Sequence, residues 1–327
     1  MVSRILCAAL IALSVWCVSP LVRAGDAAAS YPIRPVRIVT GSPGSTSDFA
    51  ARFIAQKLSE RWGRQVVVDN RPGAGGIIGT DIVAKSAPDG YNLIIGQIGT
   101  HASPQFLFKK LPYDPIRDFT PISMLTNSGI ALVINASVPA NSVKEFVAYA
   151  KATPGKVNYA SAGGGTSSQL SGELFNQMTG ARLVHIPYKG AGFALTAVLS
   201  GETQAAFLST TTANAQVKAG RLKALAVLSP KRFAAAPDIP SITEAGYPGI
   251  EASVWFGLLA PAGTPRAIID KINKDVVSIL KLRETKDALL SQGAEPVLTT
   301  PQEFDAFLKA EIKKWGRVIK EAGITSN

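Results

Sequence analysis

The strongest constraint on the fold is a pattern that recurs along the chain. A short apolar run enters a loop of glycine and hydroxyl residues, and an amphipathic segment follows. Val36-Arg37-Ile38-Val39 leads into Thr40-Gly41-Ser42-Pro43-Gly44-Ser45-Thr46-Ser47-Asp48. Helical spacing of Phe49, Phe53, Ile54 and Leu58 predicts a helix from there through Arg61. Residues 66–70 repeat the pattern before the glycine-rich stretch 71–76 and a helix to about Ser86. Residues 91–95 repeat it before the polar elbow 96–102. Further strands are expected at 131–134, 183–186, 204–208, 224–228 and 255–260, helices at 142–150 and from 193 to about 200, and a mostly helical tail over 266–292 and 301–322. Strand, loop and helix in succession specify an α/β fold with open, mostly parallel sheets flanked by helices. Ligands in such sheets sit beyond the carboxyl ends of the strands. At 327 residues the repeated units favour two lobes around a cleft. The pattern alone does not place the crossings between them.

The most distinctive loop lies in Asn158–Thr179. A short strand passes through Ser161-Ala162-Gly163-Gly164-Gly165-Thr166 and enters a helix at Ser167-Ser168. Glycines permit the turn, hydroxyls can cap the helix, and its first N–H groups suit an anion. The bland reading is a tight strand-to-helix connection, and the loop alone does not choose. No lysine follows it as a phosphate loop requires, and both its spacing and its place in the chain exclude a dinucleotide fingerprint.

The chain opens with Arg4, an apolar run from Ile5 to about Val18, and small residues at Ala24 and Ala27–Ala29. That order predicts a secretory leader over residues 1–29, cleaved after Ala24 or Ala29. Both cysteines, Cys7 and Cys17, fall inside it, so the mature chain has no thiol for catalysis or metal binding. The formal net charge of +11 is spread along the chain without a basic arm, which gives no support to a nucleic-acid partner. Two histidines, His101 and His185, are too few for a zinc site. No G-x-S-x-G elbow is present, and no spacing unites either histidine with Ser161, Ser167 or Ser168. Catalysis by a serine hydrolase mechanism is therefore not expected, and no cofactor is implied.

Several short motifs occur together in one order: Asn70-Arg71-Pro72-Gly73-Ala74-Gly75-Gly76, Ala87-Pro88-Asp89-Gly90-Tyr91, Leu111-Pro112-Tyr113-Asp114-Pro115, Asn158-Tyr159-Ala160-Ser161, Pro187-Tyr188-Lys189-Gly190 and Leu259-Ala260-Pro261-Ala262-Gly263-Thr264-Pro265. On these the whole mature chain resembles the extracytoplasmic solute-binding receptors of tripartite tricarboxylate transport systems, the Bug-type proteins. The resemblance implies a monomeric periplasmic binding protein of the type II, crossed-over kind, without a cofactor. Its first lobe would hold residues 30–127 and 251–327, and its second 128–250. A small carboxylate would sit in the cleft and pass to membrane permease subunits; a receptor feeding a sensor kinase would use the same cleft.

Carried onto this chain, the first-lobe contacts would come from Ser42, Ser45, Thr46, Ser47, Gln97, Thr100 and His101. The second lobe would contribute Ser161, Thr166, Ser167, Ser168, Lys189, Gly192 and Ser209. Two departures bear on the ligand. The aromatic that relatives carry in the first loop, as in PFPAGG, is Gly41 here, and a Phe-Asp pair is Phe207-Leu208. Loss of that acid disfavours an ammonium group, so the expected ligand is a carboxylate without one, dicarboxylic or aromatic.

Overall fold

The computed structural model describes residues 30–41 and 43–325. The expected leader with its cleavage positions, and Ser42, lie outside the described residues. Strands β1 (Val36–Thr40), β2 (Val66–Asn70) and β3 (Asn92–Gly96) form a parallel trio with β1 in the middle. The long strand β4 (Phe119–Asn135) follows. A second parallel trio then forms from β5 (Asn158–Ser161), β6 (Val184–Pro187) and β7 (Ala205–Ser209), with β5 central.

β4 belongs to both halves. Over Phe119 to Gly129 it pairs antiparallel with β9 (Ser253–Pro261). From Ile130 to Asn135 it pairs with β7 and with β8 (Leu222–Val227). The continuous strand order is β2-β1-β3-β9-β4-β7-β5-β6, with β8 and β10 (Glu295–Pro296) pairing β4 off that path. The two parallel trios are the part the repeats predict, and β4 and β9 make the whole mixed. Sequence reading starts this strand at 131, yet pairing extends it back to Phe119 through polar and small residues.

Each parallel strand hands the chain to a helix or tight turn at its carboxyl end. The helices are α1 (Thr46–Trp62), α2 (Ile77–Ala84), α3 (Pro104–Leu107), α4 (Val143–Ala152), α5 (Ser167–Thr179), α6 (Ala191–Ser200) and α7 (Thr210–Lys218). After β3 the chain first makes one wide turn over Ile98–Ala102, closed by the Ser103 N–H on the Ile98 carbonyl at 2.9 Å. The mostly helical stretch expected over 266–292 holds two helices, α8 (Arg266–Leu280) and α9 (Arg283–Ser291). Extended backbone at Leu282 (ψ 137°) ends the first and caps the second.

The last helix, α10 (Pro301–Ala322), ties the halves together. Thr300 and Glu303 form a capping box, Pro301 sits in its first turn, and Gly323 ends it in the left-handed region. Phe304, Leu308, Glu311, Ile312, Trp315, Val318 and Ile319 recur three or four residues apart and are buried. Trp255 of β9 meets Phe304 and Phe307 edge-on, at 6.1 and 5.5 Å between centroids. Glu311 Oε2 accepts from the indole N–H of Trp255 (2.9 Å) and of Trp315 (2.8 Å). At its far end α10 reaches the second trio's flank, where Gln177 of α5 donates to the Val318 carbonyl at 3.0 Å.

Candidate functional site

A cavity of about 420 Å³ opens between the two trios. Its wall is built from residues that follow the carboxyl ends of β1 (Gly41, Ser45–Ser47), β2 (Pro72, Gly73), β3 (Gln97–Gly99), β5 (Ala162, Gly164–Ser168), β6 (Gly190, Ala191) and β7 (Ser209, Thr212). Leu107, Phe108, Ile98, Phe207 and Leu208 add apolar surface. Among the described residues, none that lines this cavity is ionisable. An anion here is met by oriented dipoles and hydroxyls, which do not carry the desolvation cost of a buried cation.

The 161–168 loop shows how the chain allots its own donors. The Ala162 N–H is taken by Ser168 Oγ (2.8 Å), that of Gly163 by Ser161 Oγ (3.1 Å), and that of Gly165 by Gln169 Oε1 (2.7 Å). Thr166 occupies the N-cap of α5, but its hydroxyl donates to the Gly163 carbonyl at 2.7 Å and does not cap a helix N–H. The N–H groups of Gly164, Thr166, Ser167 and Ser168 have no acceptor among the described residues. These are the loop and first-turn donors that a helix start leaves open. Gly165 holds φ +71° while its carbonyl accepts from Ser103 Oγ across the cavity at 3.0 Å.

On the opposite wall Ser45 caps α1 by accepting the Asp48 N–H at 3.2 Å. Asp48 itself is buried and fully engaged, accepting from Gly44 N, Asn70 Nδ2 and Arg52 Nε. Burial alone would raise its pKa; the donors from Arg52, Asn70 and Gly44 outweigh that and hold it below the usual carboxylate value. Its carboxylate serves the helix start.

The structure brings Ser45, Thr46, Ser47, Gln97, Thr166, Ser167, Ser168 and Ser209 to the cavity wall. Thr100 and His101 lie behind it. Thr100 Oγ1 receives the Gln97 N–H at 3.2 Å and meets His101 Nδ1 at 2.9 Å. The imidazole is fully buried against Phe119 and Tyr113. Ser161 is buried beneath the glycine loop. Lys189 and Gly192 are exposed on either side of Gly190 and Ala191, which do line the wall. Pro72, Gly73, Gly75 and Gly76 after β2, Ser103 and Leu107 beyond the third elbow, Thr212, and Trp255 are wall residues that the motif reading did not assign. The first group was legible: it repeats the same strand-end position as the other loops.

One expectation is overturned. His185 and Ser161, which no sequence motif links, meet with Nε2 2.5 Å from Oγ. The cause is strand register. Tyr159 of β5 pairs with His185 of β6, and Ser161 lies two residues on, hence on the same face. Gln169 Nε2 reaches His185 Nδ1 at 3.2 Å.

Burial pushes His185 down to about 4 and His101 down to about 3. An unfolded histidine protonates near 6.5. Between that value and about 4 for His185, or about 3 for His101, the unfolded chain binds more protons, so stability falls as pH falls through this window. Urea midpoints measured at pH 7 and pH 5 are expected to drop more in the wild type than in a His101→Phe/His185→Phe double variant. Equal drops would remove the histidines from the acid response.

The comparisons with known proteins agree with this geometry. Residues 50–324 match the model of the tripartite tricarboxylate transporter family receptor. The chain is 38% identical to protein BugT of Bordetella pertussis over 296 residues, covering 90% of this chain and 91% of that one. Among solved structures it is similar to R. palustris Rpa4515 with adipate (36% identity, TM-score 0.83, 91% of this chain and 100% of that one). It is also similar to MatC from Rhodopseudomonas palustris with bound malate (32% identity, TM-score 0.78, 88% and 100%). Those proteins share the two-lobed periplasmic binding fold seen here. The chain belongs to the tripartite tricarboxylate transporter receptor family, in its Bug/TctC-type branch.

Proposed function

We propose that this chain is a periplasmic receptor that closes on a small dicarboxylate lacking an amino group and delivers it to tripartite tricarboxylate permease subunits. The observation that carries this reading is the uncharged cavity onto which α1 and α5 both open their N-termini. Each end offers hydroxyls, Ser45–Ser47 on one side and Thr166–Ser168 with Ser209 on the other, with Leu107, Phe108 and Ile98 also in the wall. A diacid with a short apolar spacer matches that distribution better than an aromatic monoacid. Adipate and malate, named with the similar receptors, are both dicarboxylates without an amino group. With leucine at 208 and no acid elsewhere among the described wall residues, an ammonium group has no carboxylate partner there.

The lobes we assign are 30–127 with 251–327, and 128–250. The exchange of β4 from β9 to β7 and β8 at Gly129/Ile130 supports the first crossing. Ser45, Thr46, Ser47, Gln97, Thr166, Ser167, Ser168 and Ser209 are the proposed contacts, with Lys189 and Gly192 at the margins. Thr100, His101 and Ser161 hold the elbows from behind. The leader directs export, the mature protein acts as a monomer, and no catalytic step is involved. Closure is a shift of population toward the liganded conformation.

A thermal-shift panel of succinate, glutarate, adipate, malate, benzoate, aspartate and glutamate, followed by calorimetry, tests the reading. At a hundredfold excess over Kd a bound ligand adds about 2.7 kcal/mol to native stability. The expected result is stabilisation by a dicarboxylate and none by the amino acids. Preference for aspartate or glutamate over the plain diacids would overturn the assignment of ligand class.

A further inference from the structure

We propose that His185 is a positioning residue of the anion-binding loop, selecting through Ser161 and Gln169 which backbone N–H groups remain for the ligand. The proposal rests on the receptor reading above. Gln169 spans two tasks: its Oε1 accepts the Gly165 N–H at 2.7 Å, which turns its Nε2 toward His185 Nδ1 at 3.2 Å. An amide nitrogen only donates, so Nδ1 accepts and carries no proton. In a neutral imidazole the proton then resides on Nε2, which donates to Ser161 Oγ at 2.5 Å. Ser161 Oγ also accepts the Gly163 N–H at 3.1 Å and sends its own proton to the Gly163 carbonyl at 3.3 Å. The hydrogen bonds therefore run in one direction, from Gln169 through His185 to Ser161.

The outcome at the loop is selective. Gly163 and Gly165 have their N–H groups withdrawn into this chain of side chains, while Gly164 and Thr166 keep theirs. Tyr159 packs against the imidazole with ring centroids 5.1 Å apart and planes tilted by 31°. The same orientation bars His185 from acting as a base toward Ser161. Its Nε2 already holds a proton, so the pair resembles a catalytic dyad only in distance.

The test uses the mature full chain with the tightest dicarboxylate from the panel. His185→Phe retains an aromatic ring beside Tyr159 and removes both hydrogen bonds. It is expected to weaken binding tenfold to a hundredfold, to speed amide exchange at Gly163 and Gly165, and to leave exchange in β4 unchanged. Ring-nitrogen spectra of the wild type are expected to show the Nε2–H tautomer from pH 5 to 8. Gln169→Glu supplies no donor to Nδ1 and is expected to invert the tautomer and weaken binding as well. Wild-type affinity in His185→Phe, or an Nδ1–H tautomer in the wild type, overturns the proposal while the receptor reading stands. If no carboxylate binds the wild type, the receptor reading falls and takes this one with it.

Discussion

Glu311→Leu is expected to cost about 2–6 kcal/mol of folding stability, read as a fall in urea midpoint at unchanged slope. The carboxylate is buried and takes the indole N–H of Trp255 and of Trp315, the two largest fully buried side chains. Leucine fills a similar volume but strands both donors in an apolar core, at about 1–3 kcal/mol for each group left unsatisfied. Lys314, the ion-pair partner of Glu311, retains partial exposure and can turn to solvent. Glu311→Gln provides the control, because its amide oxygen can accept from both indoles; most of the stability should return. A loss below roughly 0.5 kcal/mol in Glu311→Leu would show that the two indoles find other acceptors.

Gly165→Ala should weaken dicarboxylate binding about tenfold to a hundredfold, equivalent to about 1.4–2.8 kcal/mol. At φ +71° an alanine carries about 1–2 kcal/mol of backbone strain. Its Cβ would also stand 2.3 Å from Leu107 Cδ1, a side chain that itself lines the cavity. Either relief, moving the loop or displacing Leu107, disturbs the place where the free N–H groups converge. A double variant with Leu107→Ala removes the collision but not the strain, so it should recover part of the affinity. Full recovery would mean that the left-handed conformation contributes nothing, and an unaltered single variant would mean that the loop is not part of the site. Calorimetry on the three proteins decides among these outcomes.

What the sequence disclosed and what it concealed divide along a physical line. The parallel trios were legible because each strand, loop and helix is local, and glycine, hydroxyl residues or both mark the carboxyl ends. The full extent of β4 was not. Pro121, Ser123 and the run Thr126-Asn127-Ser128-Gly129 look like loop, and become strand because β9, more than a hundred residues away in the chain, supplies the pairing. At the site, hydroxyl-rich strand ends pointed to Ser45–Ser47 and Thr166–Ser168. They also drew attention to Thr100, whose hydroxyl turns inward to close its own elbow. The meeting of His185 with Ser161 follows from period-two geometry once β5 and β6 are known to be parallel and in register. Sequence spacing says nothing of that register.

The passage of β4 through both sheets has a thermodynamic consequence for closure. A receptor whose halves were joined by slack linkers would lose linker freedom with every capture, and that loss would be subtracted from affinity. Here the joint is itself hydrogen-bonded strand, paired to β9 on one side of Gly129 and to β7 and β8 on the other. The returning segment is also anchored, with the Ala252 N–H on the Leu228 carbonyl at 2.9 Å. Its disorder was surrendered once, when the chain folded. On the proposed receptor function, each later cycle of filling and emptying would bend an already ordered joint, leaving the binding energy of even a small ligand to tip the balance between open and shut.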